Sequence, residues 1–242
     1  MNMSLLIGFI IMFASTGAYY AMSLKYPVEK RFFHHVTMFV TGIASIAYLI
    51  MAFDGGNVMV TLASGDERKF FYVRYLDWAF TTPLLLLDIG LLAGASLSHI
   101  SFIIGCDVLM IVGGLAGPVF FPANEAAKWT LFAIGMIWFA PIIYAMLVEW
   151  KANMNPIVAG TYGLVASMTL VLWCAYPIMW ALCEGTGILS GEIEVVLYTI
   201  LDVIAKAAFG FVLLSNHATL EAATASESDK QASLLGRLPA MH

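Results

Sequence analysis

Lys206 stands in the middle of an apolar run, Val195–Leu214 (VVLYTILDVIAKAAFGFVLL), long enough to cross a bilayer. It is the only lysine deep inside any such run. A charged side chain at the centre of a membrane helix costs about 2.5–3.5 kcal/mol on insertion scales, so it marks a functional-site hypothesis. Asp202 lies four residues earlier and Tyr198 four before that, on one helix face. A lysine beside a carboxylate in apolar surroundings can be a structural ion pair. It can equally be an amine poised to condense with a carbonyl compound.

A second constellation is RYLDWAFTTPLLLLD, Arg74 to Asp88. Arg74 and Asp77 are three residues apart and so share a face. Asp88 is eleven residues beyond Asp77, which is about 20° past three full turns and a rise of roughly 16 Å. The two aspartates therefore share a face at different depths, as two stations on a proton path would. Thr81 adds a hydroxyl one turn after Asp77. Structural ion pairs are the competing explanation for any one of these groups, and a weaker one for the set. Arg74, Asp77, Asp202 and Lys206 sum to zero formal charge, and unpaired they would cost on the order of 10 kcal/mol. A paired cluster between the two segments is the expected solution. The third constellation is LWCAYPIMW, with Trp173, Tyr176 and Trp180 at spacings of three and four and a helix-kinking Pro177. Trp173 and Tyr176 lie too deep for an interfacial belt. With Trp78 opposite, they would wall an apolar slot beside the lysine, a shape suited to a long polyene aldehyde.

These side chains need elements to hold them. The chain has 242 residues, 61% hydrophobic and 11% charged, where soluble domains carry roughly 25% charged residues. The expected fold is an all-α membrane protein, a seven-transmembrane-helix bundle. Its spans are Ser4–Leu24, His35–Asp54, Phe71–Leu92, Ser98–Pro118, Ala126–Trp150, Pro156–Leu182 and Glu194–Ser215. The first charged residue is Lys25, so Met1–Leu24 reads as the first span rather than a signal peptide. Short links imply antiparallel neighbours. The longest, Gly55–Lys69, carries Gly-Gly and an alternating VMVTL run that suits a hairpin. Basic residues in the loops, above all KYPVEKR, favour an extracellular N-terminus and a cytoplasmic C-terminus. Residues 1–217 form the expected membrane domain. Ala218–His242, rich in Ala, Ser and Glu, reads as a polar, mobile cytoplasmic tail, helical near its start. The net charge of −5 gives no case for nucleic acid. Cys106, Cys174 and Cys183 lack metal-type spacing and read as small packing residues, with no metal site.

The stretches RYLDWAFTTPLLLLD, LWCAYPIMW and LDVIAKAAFG resemble the microbial rhodopsins, and among them the bacteriorhodopsin-like light-driven proton pumps, over nearly all of the seven-helix region. The resemblance implies that Lys206 carries all-trans retinal as a covalent, protonated Schiff base. It implies Asp77 as primary counterion and proton acceptor, Asp202 as second counterion, and Arg74 as a movable cation. Asp88 resembles the cytoplasmic proton donor and Thr37 its hydrogen-bond partner, and Glu184 and Glu194 the proton-release pair. The retinal slot would be lined by Trp78, Thr82, Leu85, Met110, Gly114, Trp173, Tyr176 and Trp180, with Tyr48 and Asp107 at further pocket positions. Gly135, Trp138 and Phe139 would face its ring end. The implied activity is a light-driven outward proton pump, not an enzyme: a multi-pass protein of the cell membrane whose partners are lipid, protons and further copies of itself, as a trimer or another homo-oligomer. The alternative within the fold is a photosensory rhodopsin. Sensors of this kind often lose the cytoplasmic donor, which is present here.

Two departures stand out. The stretch before Glu184 is one residue shorter than in bacteriorhodopsin. No histidine sits midway along the second helix, where proteorhodopsins pair one with the counterion. His34 and His35 fall at that helix's cytoplasmic start and read as solvated.

Overall fold

The computed structural model describes residues 2–221. Among the described residues, seven helices are long and apolar enough to cross a membrane: α1 Met3–Ser23, α2 Phe32–Ala52, α3 Tyr72–Leu92, α4 Leu97–Phe120, α5 Glu125–Ala152, α6 Pro156–Gly185 and α7 Gly191–Leu214. The chain is an integral, multi-pass membrane protein. Large apolar side chains such as Phe13, Phe39, Phe80 and Val171 are exposed around the bundle, where lipid solvates them.

Several helices begin where a polar side chain can satisfy the first free amides, rather than where hydropathy rises. Asn124 accepts from Ala127 N at 3.1 Å before α5, and Ser190 accepts from Ile193 N at 3.4 Å before α7. Each helix therefore starts a few residues ahead of its apolar run. Three helices contain a wider π turn: Ala145–Glu149 in α5, Ala181–Gly185 in α6 and Val203–Ala208 in α7. The turn in α6 carries that helix to Gly185 and brings Cys183 and Glu184 inside. The turn in α7 contains Lys206, and the Tyr19 hydroxyl of α1 donates to Ala207 O within it. Such turns gather at functional sites.

Helices adjacent in sequence pack side by side, and α7 closes the bundle against α1, α2 and α6. Between α4 and α5 the backbones nearly touch. A Cβ on Gly113 would lie 2.8 Å from Leu131 O, and one on Gly135 would lie 2.9 Å from Met110 O. The expected hairpin forms as β1 Val58–Thr61 and β2 Glu67–Phe70, antiparallel, with Val58 opposite Phe70. It folds against the bundle end that carries the start of α7. At the opposite end residues 217–221 continue helically past α7, and Leu220 is buried there. The rest of the expected tail lies outside the described residues.

Candidate functional site

Lys206 is 1% exposed and pairs with Oδ2 of Asp77 from α3; Asp202 Oδ1, four residues back on α7, is 3.6 Å from Nζ. The two carboxylates are bound differently. Asp202 Oδ1 accepts from Tyr176 OH at 2.7 Å and Trp78 Nε1 at 3.2 Å, and its Oδ2 accepts from Tyr48 OH at 2.8 Å. Donors from α2, α3 and α6 thus clamp it. Asp77 Oδ1 has no hydrogen-bond partner. Thr81 does not reach that oxygen, because its hydroxyl donates to the Asp77 backbone carbonyl at 2.8 Å.

Arg74 departs from the expectation of one four-membered cluster. Its guanidinium turns along the helix axis toward the hairpin end and donates from Nη1 to Glu194 Oε1 at 2.6 Å. The same carboxylate accepts from Arg68 Nη2 at 2.6 Å, while Arg68 Nη1 reaches Leu189 O at 3.1 Å. Burial alone would weaken the Arg68 guanidinium, but the hydrogen bond and charge of Glu194 outweigh that and hold it above the ordinary arginine range. Glu184 and Glu194 come together despite the shortened stretch of α6: with Cys183 they offer ligand-type atoms within 4.8 Å of one another. Glu194 oxygens are already taken by two arginines, which disfavours a cation there. Glu184 also accepts from Tyr75 OH at 3.2 Å and from Tyr198 OH at 3.5 Å. The charges therefore sort into two groups: a lysine with two aspartates, and two arginines with two glutamates.

Toward the other end the interior is apolar. Leu86, Ile89 and Leu92 of α3 pack with Phe209 and Leu213 of α7 in one buried cluster. Asp88 sits in this region with no exposure, its Oδ2 3.2 Å from Thr37 Oγ1 and its Oδ1 without a partner. Thr37 Oγ1 also donates to Phe33 O at 2.7 Å. His34, one turn before Thr37, is not solvated as expected. It is 1% exposed, because Tyr26 and His217 close over it.

Beside Lys206 lies a cavity lined mainly by aromatic and apolar side chains, the lining expected of a small-molecule site. All eight expected lining residues face it: Trp78, Thr82, Leu85 and Met110, then Gly114, Trp173, Tyr176 and Trp180. Trp78 and Tyr176 meet edge to face at 5.2 Å, and Trp180 stacks on Phe132 at 4.1 Å. Trp180 Nε1 is held by Gly114 O at 2.9 Å. Tyr48 and Asp107 stand behind the wall. Tyr48 binds Asp202, and Asp107 Oδ2 accepts from Thr82 Oγ1 at 2.6 Å. Gly135, Trp138 and Phe139 do not line the cavity; α5 presents Phe132 and Met136 instead. Gly135 lies on the side of α5 that meets α4 backbone to backbone, so Phe132, three residues before it, and Met136, the next residue, are the ones that reach inward.

Fold and site define a seven-helix integral membrane protein whose interior holds a lysine–carboxylate centre opening on an aromatic cavity. The family of bacteriorhodopsin-like proteins matches residues 1–220, and the chain belongs to that family. Archaerhodopsin-3 of Halorubrum sodomense is 43% identical over 194 residues, covering 79% of this chain and 75% of the relative. The opsin-like protein carO of Fusarium fujikuroi is 37% identical over 226 residues, covering 88% and 72%. Among solved structures, the light-driven proton pump LR (Mac) from Leptosphaeria maculans aligns with a TM-score of 0.87 and 33% identity, over 92% of this chain and 96% of that one.

Proposed function

We propose that this protein is a light-driven outward proton pump that uses all-trans retinal bound covalently through Lys206. The observation that carries the proposal is the placement of three buried carboxyl groups around one buried amine. Asp77 and Asp202 touch the amine, and Asp88 stands apart in an apolar region. The similarity to a proton pump of the same fold supports it.

The residues fit retinal. The cavity is walled by Trp78, Trp173, Tyr176 and Trp180, ends on a primary amine, and has an unpartnered carboxylate oxygen, Asp77 Oδ1, beside that amine. Bound retinal would supply light absorption and an isomerisation that redirects the proton carried on Nζ. In the dark, Asp77 Oδ2 and Asp202 Oδ1 would hold that proton. Asp77 is the acceptor of choice because its Oδ1 is open, whereas Asp202 is already occupied by Tyr48, Trp78 and Tyr176. A neutral Asp77 no longer balances the nearby positive charge. Arg74 would then bind more tightly to Glu194, which favours loss of a proton from the Glu184–Glu194 group. Asp88 would return a proton to Nζ from the other side. Hydrogen-bond accounting supports a protonated Asp88 at rest. The Asp88 contact among the described residues is the Thr37 hydroxyl, which it shares with Phe33 O, and a carboxylate without a charged partner in an apolar region is costly.

The deciding experiment is illumination of unbuffered cells expressing the retinal-loaded protein. Acidification of the medium that a protonophore abolishes is the expected result. Absorbance changes without acidification would support a photosensory role instead.

A further inference from the structure

At the Asp88 end of the bundle a second titratable cluster is left over from this scheme. His34 of α2 has neither ring nitrogen partnered among the described residues, although it is buried. A buried imidazole with two unsatisfied nitrogens is costly for a residue that only packs. Its ring centroid is 5.1 Å from that of His217, which follows α7. His217 Nδ1 is also unpartnered, while its Nε2 is 3.1 Å from Glu221 Oε1. Tyr26 stacks on His217 at 3.4 Å and lies 5.3 Å from His34. Lys30 Nζ binds Glu221 Oε1 at 3.0 Å; these bonds from Lys30 and His217 hold the Glu221 carboxyl below the usual carboxylate range. The remaining charged or titratable neighbours are His35 and Arg31, whose Nε donates to Tyr26 O at 2.7 Å.

These groups form a gradient. The Glu221 side chain is 37% exposed, His217 is 9%, His34 is nearly closed off, and Asp88 fully so. His34 lies three residues before Thr37 on the same face of α2, roughly 4.5 Å along the axis. Thr37 in turn touches Asp88. Histidine is the side chain suited to both accepting and donating a proton near neutral pH.

We propose that His217 and His34 form a two-imidazole relay that takes protons from the surface at Glu221 and delivers them to Asp88. The proposal rests on the pump reading above. Glu221, as a carboxylate, draws a proton from the medium and His217 takes it up. The imidazolium of His217 protonates a free nitrogen of His34. His34 then protonates the Asp88 carboxylate beside Thr37. Each imidazole ends neutral, and one proton has moved from solvent to Asp88. Tyr26 holds the rings together but takes no proton.

The test uses the retinal-loaded protein in liposomes, with a pH dye on the Asp88-end surface and flash excitation. In His34→Gln, uptake is expected to slow by roughly a hundredfold, the lower range for loss of a positioned proton-transfer group. The dark colour should be retained, and added imidazole should restore part of the rate. Combining His34→Gln with Asp88→Asn should be no slower than Asp88→Asn alone, since both lie on one path. A parent-like uptake rate in His34→Gln, or slowing that multiplies with Asp88→Asn, would overturn the relay while leaving the pump intact. Absence of light-driven uptake in the parent would overturn both. Nitrogen NMR of the unmutated protein gives a readout independent of folding in the variant. Coupled titration of His34 and His217 supports the relay, and independent titration refutes it.

Discussion

The two halves of the bundle on either side of Lys206 are built on opposite principles. Toward the hairpin, two hydrogen-bonded groups lie one after the other: Asp202 with Tyr48, Trp78 and Tyr176, then Arg74, Glu194 and Arg68, with Glu184 between Tyr75 and Tyr198 and the Arg74 guanidinium over the Tyr198 ring. Toward the other end one acid and one threonine stand among Leu86, Ile89, Phe209 and Leu213. Closely spaced polar groups let charge shift by small movements of side chains. An isolated acid in an apolar region can exchange a proton only when the region opens or a neighbour carries the proton to it. In the proposed pump, that contrast would give transport its direction: low resistance on one side of the amine and a closed gate on the other.

The largest effect should come from removing the point where the halves meet. Lys206→Ala should leave the protein colourless when retinal is added, and mass spectrometry of the parent after trapping the adduct should locate it on Lys206. An adduct on another lysine would remove the basis of the comparison. Next, Asp77→Asn should stop light-driven acidification and shift absorption to the red, since loss of the negative charge beside Nζ narrows the excitation gap. Undiminished acidification in that variant would make Asp77 structural.

Asp88→Asn probes the closed half alone. Colour and the first proton release should persist, while recovery of the dark absorption after a flash slows by roughly a hundredfold. The slowed recovery should depend on the pH of the medium, and azide, a small diffusible acid, should restore it. Recovery matching the parent at every pH would show that Asp88 is not the donor.

Arg68→Gln probes the polar half more gently. Glu194 keeps Arg74 but loses a charged donor, so proton release should be delayed without loss of pumping. Stability should fall by about 1.5–3 kcal/mol, as for a hydrogen bond to a charged group, seen as a lower unfolding midpoint. The smallest effect is expected from Tyr19→Phe, which removes the donor to Ala207 O in the π turn of α7. A loss of about 1 kcal/mol and a slight colour shift should follow. An unchanged midpoint would show that the π turn holds without Tyr19.

Seven spans, the hairpin and the buried lysine could be read from the chain alone; the resemblance to the family supplied eight cavity positions, all of which line the cavity together with others such as Phe132 and Met136. The reason is physical: a twenty-residue apolar run with one lysine and one aspartate has few ways to exist in lipid, and helical spacing decides which side chains share a face. Who pairs with whom could not be read in this way. Arg74 sits on the face of Asp77 yet binds Glu194, because a long flexible side chain can turn either way along the helix axis. Arg68 gave no local signal, since its role depends on how a loop hairpin folds onto the start of α7. His34 looked solvated because its covers, Tyr26 and His217, come from the preceding loop and from far along the chain. The π turn around Lys206 is held by Tyr19 from the first helix, a contact across the bundle that no local pattern encodes. Apolar length and spacing determined the frame and the chemistry of this protein; contacts between distant segments, which only the closed bundle creates, decided the route its charges take.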